Sequence, residues 1–285
     1  MNLIRNIILI GMTLMLGGCV AGRDSDRDAI AVSFEPQAWM ARQIAGDDFD
    51  IITLLPGGTD PEVYQPSIST MRRLGDASAY LTLGTDGFEK SLGESIRQNF
   101  PDLKIADSGA GTDKIYGTHG DHHDGSDSSF DPHLLASLRN CVVIAGNIAE
   151  TLASIRPDKA AEYRAAGRRL QERLQALDDS IAGLGLGGRA FVSRHPSLSY
   201  FARDYRLNQI ALNGSGKEIS PMQLKQRIDS TAALHPAVMI VEKEHAYSSD
   251  ADIARSLGID TIVVSLNSSS WIDDIIRISH EIDRN

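Results

Sequence analysis

Short apolar runs alternate with amphipathic stretches along most of the chain. Residues 29–34, 49–55, 79–83 and 103–106 have the length and apolar content of buried strands. Between them, 37–45, 69–74 and 88–99 read as helices, the first opened by Pro36. A βαβαβαβ order with short apolar strands predicts a parallel sheet covered by helices on both faces. Residues 109–131 break the pattern, because Gly, Ser, Asp and His dominate and apolar residues nearly vanish, and they read as a mobile surface loop. Residues 133–155 then read as a helix and 157–184 as a long one. Pro157 suits a first turn, and Leu170, Leu174, Leu177 and Ile181 form one apolar stripe. Strands are expected again at 189–193, 209–212, 238–241 and 261–264, with helices at 197–204, 221–234, 249–257 and 270–282. The fold class is therefore α/β: two lobes with parallel sheets flanked by helices, joined by one long backbone helix. The divisions are 29–156, which contains the His-rich loop 109–130, a linking helix at 157–184, and 187–285. A helical crossing permits little hinge motion, and a ligand belongs in the cleft near the carboxyl ends of the strands.

The N-terminus changes the compartment. Arg5 precedes an apolar stretch from 7 to 16 and then Leu16-Gly17-Gly18-Cys19, the layout of a secretory signal too short to span a bilayer comfortably. Leu-Gly-Gly-Cys also resembles a bacterial lipobox. Residues 1–18 are thus expected to be a signal peptide, Cys19 the lipidated residue, and 19–28 a polar tether. The protein is expected outside the cytoplasm, lipid-anchored to a bacterial membrane, in the periplasm or at the cell surface. Cys141 is then the remaining cysteine and is read as a buried small hydrophobe on a helix. The formal charge of −10, from 28 Lys+Arg against 38 Asp+Glu, argues against a nucleic-acid partner. A monomer is expected.

Two Asp-Pro steps carry the chemistry. Asp60-Pro61 runs into Glu62, and Asp131-Pro132 into His133. Proline fixes its own φ and pushes the preceding residue towards extended geometry, so each step holds a donor on a stiff turn. His195 stands just past the apolar run 190–192. Carboxylate and imidazole from separated segments are what a closed Zn²⁺ or Mn²⁺ site needs. His119, His122 and His123 form a second donor cluster in the polar loop. Ordering that loop on binding would hold its affinity below that of a preformed site.

Longer stretches carry a resemblance. The run from Leu55 to Ser67, reading LPGGTDPEVYQPS, is followed by Asp131-Pro132-His133, by FVSRHPSLSYFA from Phe191 to Ala202, and by Gly216-Lys217-Glu218-Ile219-Ser220-Pro221. Together these resemble the zinc/manganese solute-binding proteins of bacterial ABC transporters, and the likeness covers nearly the whole chain after the tether. The resemblance implies a receptor without enzymatic turnover that delivers a divalent ion to an ABC permease. It implies metal ligands at Glu62, His133, His195 and, weakly, Asn267. Two of these depart from the family's habit. The first is commonly His, and the fourth is commonly Asp in an Asp-Pro-Leu turn, whereas here Leu266-Asn267-Ser268-Ser269 stands. Asn is a neutral, weak donor, and Glu242, Glu244 or His245 are alternatives for its place. Two neutral imidazoles favour Zn²⁺, with Mn²⁺ and Fe²⁺ as alternatives. In the resemblance, the histidine loop collects zinc for the main site.

Rival classes remain. A metallohydrolase needs an open metal position and a general base, for which Glu218 or Glu242 are candidates, yet no His-Glu-x-x-His helix or Ser nucleophile elbow is present. A metal-binding adhesin or surface lipoprotein, or a receptor for a siderophore or haem, are the others. No phosphate loop of the Gly-x-x-x-x-Gly-Lys-Ser/Thr type occurs, so any ATPase lies on another chain.

Overall fold

The computed structural model describes residues 28–61, 63–85, 87–117, 130–213 and 220–285. Two four-stranded, wholly parallel sheets form the frame, with orders β2-β1-β3-β4 and β6-β5-β7-β8. The first contains β1 (Asp28–Val32), β2 (Phe49–Thr53), β3 (Ala79–Thr82) and β4 (Ile105–Asp107). Helices α1 (Glu35–Ala45), α2 (Ile68–Gly75) and α3 (Phe88–Asn99) make its connections. The second contains β5 (Ala190–Ser193), β6 (Asn208–Ala211), β7 (Val238–Glu242) and β8 (Asp260–Val264). Its helices are α6 (Ser199–Tyr205), α7 (Pro221–Ala232), α8 (Asp250–Leu257) and α9 (Trp271–Arg284). Both sheets share one winding. The chain lays the second strand on one side of the first, then crosses to the other side, opening a crevice at the carboxyl ends of β1 and β3 and of β5 and β7.

Between the sheets lie α4 (Leu138–Ile155) and α5 (Ala160–Gly183), packed along one another. At 24 residues, α5 is about 36 Å long, enough to cross both lobes. Its buried face carries Tyr163, Gly167, Leu170, Leu174 and Ile181, with Leu177 partly buried beside them. Each fully buried leucine contributes about 1.5–3 kcal/mol relative to exposure. A Cβ on Gly167 would fall 2.5 Å from the Ala149 Cβ, so the close approach of the two helices requires glycine there. One apolar cluster runs from Ile30 and Leu81 through Ile144 and Leu174 to Phe191, Ile240 and Trp271, so the lobes share a core along these helices. Among the described residues no helix is long and apolar enough to cross a membrane.

Most predicted elements lie within a residue or two of the observed ones. Three differences have physical causes. The expected helix over 133–155 is split: a 3-10 turn, Leu134–Ala136, comes first, and extended Ser137 then caps α4 by accepting from the Asn140 N–H at 3.1 Å. The long helix starts at Ala160, because a 3-10 turn, Pro157–Lys159, precedes it. The polar break does not read as loose where it is described. Asp113 N–H donates to Asn140 Oδ1 at 2.9 Å, Ile115 N–H to the Tyr200 hydroxyl at 3.1 Å and Asp131 N–H to Ile115 O at 2.8 Å. Phe130 and Asp131 are buried. Residues 110–117 therefore form a strap tied to α4 through Asp113 and to α6 through Ile115. The signal peptide, Cys19, Glu62, the histidines at 119, 122 and 123, and Glu218 lie outside the described residues.

Candidate metal centre

His133 is held by the residue two before it. Asp131 Oδ1 accepts the His133 backbone N–H at 2.9 Å and stands 2.7 Å from His133 Nδ1. That network assigns the ring proton to Nδ1 and turns the Nε2 lone pair away from the carboxylate. Burial by itself would raise the Asp131 carboxyl; the hydrogen bond and charge of His133 hold it below the usual carboxylate range. The Asp131 backbone is fixed as well, its carbonyl accepting from the Tyr200 hydroxyl at 2.7 Å.

His195 follows β5, all four residues of which are buried. Ser193 Oγ donates to His195 O at 2.8 Å, closing the turn beyond the strand. On the other side, Arg194 is buried against Asp250 at 2.6 Å, bonds Ser249 Oγ at 2.7 Å and lies 4.6 Å over the Tyr247 ring. The two histidines, 62 residues apart in sequence and from different lobes, meet with their Nε2 atoms 3.3 Å apart. Tetrahedral coordination at the usual Zn–N length places two nitrogens about 3.3 Å apart, so the spacing is that of two donors on one ion.

Beside this pair, and lined by His133, lies an interlobe cavity of about 100 Å³. Its wall is largely apolar, with Phe34, Leu55, Leu83, Leu135 and Trp271, and carries Glu242, Glu244, His245 and Asn267. Low polarity strengthens any ionic contact made inside. Glu242 accepts from Ser197 Oγ, and burial pushes its carboxyl up. Glu244 takes the Ser265 hydroxyl. Among the described residues, no three His, Cys, Asp or Glu side chains already enclose a metal position.

Asn267 lines the cavity, but its carboxamide is engaged by backbone of the opposite lobe. Its Oδ1 accepts from Glu35 N–H at 3.1 Å, and its Nδ2 donates to Pro56 O at 3.3 Å. Its carbonyl accepts from Gly58 N–H at 3.1 Å. A Cβ at Gly57 would stand 3.1 Å from that carbonyl, so the contact leaves little room for a side chain. The residue expected as a weak donor is thus a link between lobes. Beside it, Trp39 and Trp271 cross edge to face at 6.3 Å.

Sequence reasoning did not single out Asp131 as an orienting group, nor the Arg194–Asp250 pair. For Asp131 the signal was present: an acidic residue two before a histidine, across a proline. It also missed Glu89, buried beneath the first lobe's carboxyl edge. Glu89 accepts from Leu83 N–H and Thr85 N–H, both at 2.8 Å, from Thr85 Oγ1 at 2.9 Å and from Ser33 Oγ, tying β1 to the loop after β3. Cys141 is buried and burial raises its thiol, as its reading as a core residue required.

A family model described as zinc-uptake complex component A, periplasmic (ZnuA), matches residues 30–272. The chain belongs to that family. Zinc-binding protein AdcA of Streptococcus pyogenes serotype M1 is 26% identical over 257 residues, 83% of this chain and 50% of its own length. Zinc-binding lipoprotein AdcA of Streptococcus pneumoniae is 28% identical over 223 residues, 73% of this chain and 43% of its own. This ZnuA-family chain thus spans about half the length of those relatives. A crystal structure of ZnuA superposes with a TM-score of 0.83 at 29% identity, covering 91% of this chain and 99% of that one. The periplasmic zinc-binding protein TroA of Treponema pallidum, at 16% identity and a TM-score of 0.77, shares the fold.

Proposed function

We propose that this chain is an extracytoplasmic receptor that captures a divalent transition metal between its lobes, Zn²⁺ before Mn²⁺ or Fe²⁺, and delivers it to an ABC permease. The observation that carries the reading is the 3.3 Å approach of His133 Nε2 and His195 Nε2 from opposite lobes, beside an apolar cavity that His133 lines. Glu62, which follows the Asp60-Pro61 step in the sequence, supplies the carboxylate. Two imidazoles and one carboxylate leave one positive charge on a bound divalent ion and suit a borderline-soft cation. Family membership and the zinc-binding names of the relatives support the same cargo. The work done is binding. His133 and His195 replace the ion's water, Asp131 holds one ring in register, and the shared helical core limits how far the lobes part. Cys19 carries the lipid anchor, and His119, His122 and His123 gather metal for the main site.

Metal content of protein purified without chelator, set beside a His195→Ala variant, tests the reading. About one zinc per chain is expected in the first and little in the second. Equal content in both would remove His195 from the site.

A further inference from the structure

With Asn267 held by the opposite lobe's backbone, the donor set inferred above lacks a fourth member, and the loop after β7 holds one. We infer that His245 is a ligand of the captured ion, supplied from a different loop than Asn267. This rests on the receptor reading and adds a third imidazole to its site.

Three observations carry it. The His245 ring centroid lies 5.3 Å from that of His195, and the His195 centroid lies 5.0 Å from that of His133. Imidazoles bound through nitrogen to one tetrahedral ion have centroids about 5 Å apart, given the Zn–N length and the ring size. His245 is therefore spaced from His195 as His133 is. Next, His245 Nδ1 faces the Asp60 carboxylate at 3.6 Å. A carboxylate thus faces the same ring nitrogen as Asp131 faces on His133, at charge-contact distance rather than the 2.7 Å hydrogen bond made there. Asp60 lies two residues before Glu62 in the sequence, and its contact reaches from the segment after β2 to the loop after β7. Last, the loop carrying His245 is anchored from within. Asp250, in the buried pair with Arg194, also accepts from Tyr247 N–H at 2.8 Å. The residue before His195 thus sets the position of the turn that bears His245.

The three imidazoles do not enclose a point in this structure. Binding closes the set by a shift of the His245 side chain that brings a ring nitrogen towards the His133–His195 pair. A third nitrogen moves the preference further from Mn²⁺ towards Zn²⁺.

The test measures Zn²⁺ and Mn²⁺ affinity by chelator competition, and the visible d–d spectrum of the Co²⁺-loaded protein, in wild type, His245→Ala, His245→Gln, Asp60→Asn and His195→Ala. Far-UV circular dichroism confirms folding, which the partly exposed position of His245 favours. The expected result is a Zn²⁺ affinity lowered more than about 100-fold by either His245 substitution, beyond the loss of at most about 10-fold expected for Asp60→Asn as loss of a charge contact. The Zn²⁺:Mn²⁺ ratio should fall and the Co²⁺ spectrum should change. If both His245 variants keep the wild-type Co²⁺ spectrum, the assignment is overturned whatever the affinity, while loss of binding in His195→Ala leaves the receptor reading standing. Unchanged binding in His195→Ala as well overturns both.

Discussion

Replacing Asp131 isolates the part of metal binding that comes from orientation. Its Oδ1 takes two contacts from His133, at 2.9 Å to the backbone N–H and 2.7 Å to Nδ1, and the residue is fully buried. Asp131→Ala removes that acceptor oxygen and both contacts, and leaves the His133 ring to choose its own rotamer and tautomer. Outer partners of this kind are worth roughly 10-fold to 100-fold in metal affinity, or about 1.4–2.7 kcal/mol. Asp131→Asn keeps the shape and one acceptor oxygen while losing the charge assistance, so a loss near the lower bound, about 10-fold, is expected. The assay is competition with a chromophoric chelator at neutral pH. Stability supplies an independent check. The folded Asp131 carboxyl is held below its usual range, so its contribution is complete above the unfolded value near 3.9 and disappears as pH falls through the lower folded value. Between pH 7 and pH 3 the metal-free Asn variant should therefore lose less stability than wild type. Zinc affinity within about threefold of wild type in a folded Asp131→Ala protein would refute the orienting role.

Protons and the ion compete for the His133 and His195 lone pairs, so zinc affinity should fall at least about 10-fold between pH 7.5 and pH 5; a flat profile would count against both residues. Arg194→Met leaves Asp250 charged and buried, with side chains only 8% and 5% exposed in the pair, and should cost about 3–5 kcal/mol in urea unfolding. A loss below about 1 kcal/mol would show the pair to be solvated. The chain has two tryptophans, and they meet across the lobes, so metal addition should change their emission and Trp271→Phe should remove most of that change. Asn267→Ala removes two hydrogen bonds between lobes, about 1–2 kcal/mol of stability by chemical denaturation, with zinc affinity changed only a few-fold. A hundredfold loss of affinity would restore Asn267 as a ligand.

Much of this architecture was legible because parallel strands buried on both faces read as unbroken apolar runs, as β5 and β7 do. The stripe Leu170, Leu174, Leu177 and Ile181 announced the long helix for a similar reason, since its partners bury one face only. The edge strands were harder to read. In β8, Val263 is exposed although its run looked like core, because an edge strand needs covering on fewer sides. The strap at 110–117 escaped notice because polar backbone contacts to Asn140 and Tyr200, not apolar burial, hold it in place. In the site, stiff Asp-Pro turns marked His133 at sight. The tie of Asn267 to Glu35 and Pro56 was invisible, because residues 232 and 211 positions apart leave no periodic trace. The same holds for the approach of His245 to Asp60, which depends on how the two loops face each other across the cleft.

Anomalous diffraction at the zinc edge from crystals of the zinc-loaded protein is the most direct measurement. A single peak about 2.0–2.1 Å from both His133 Nε2 and His195 Nε2 is expected. A peak elsewhere, with these two nitrogens bridged by water, would contradict capture between the lobes.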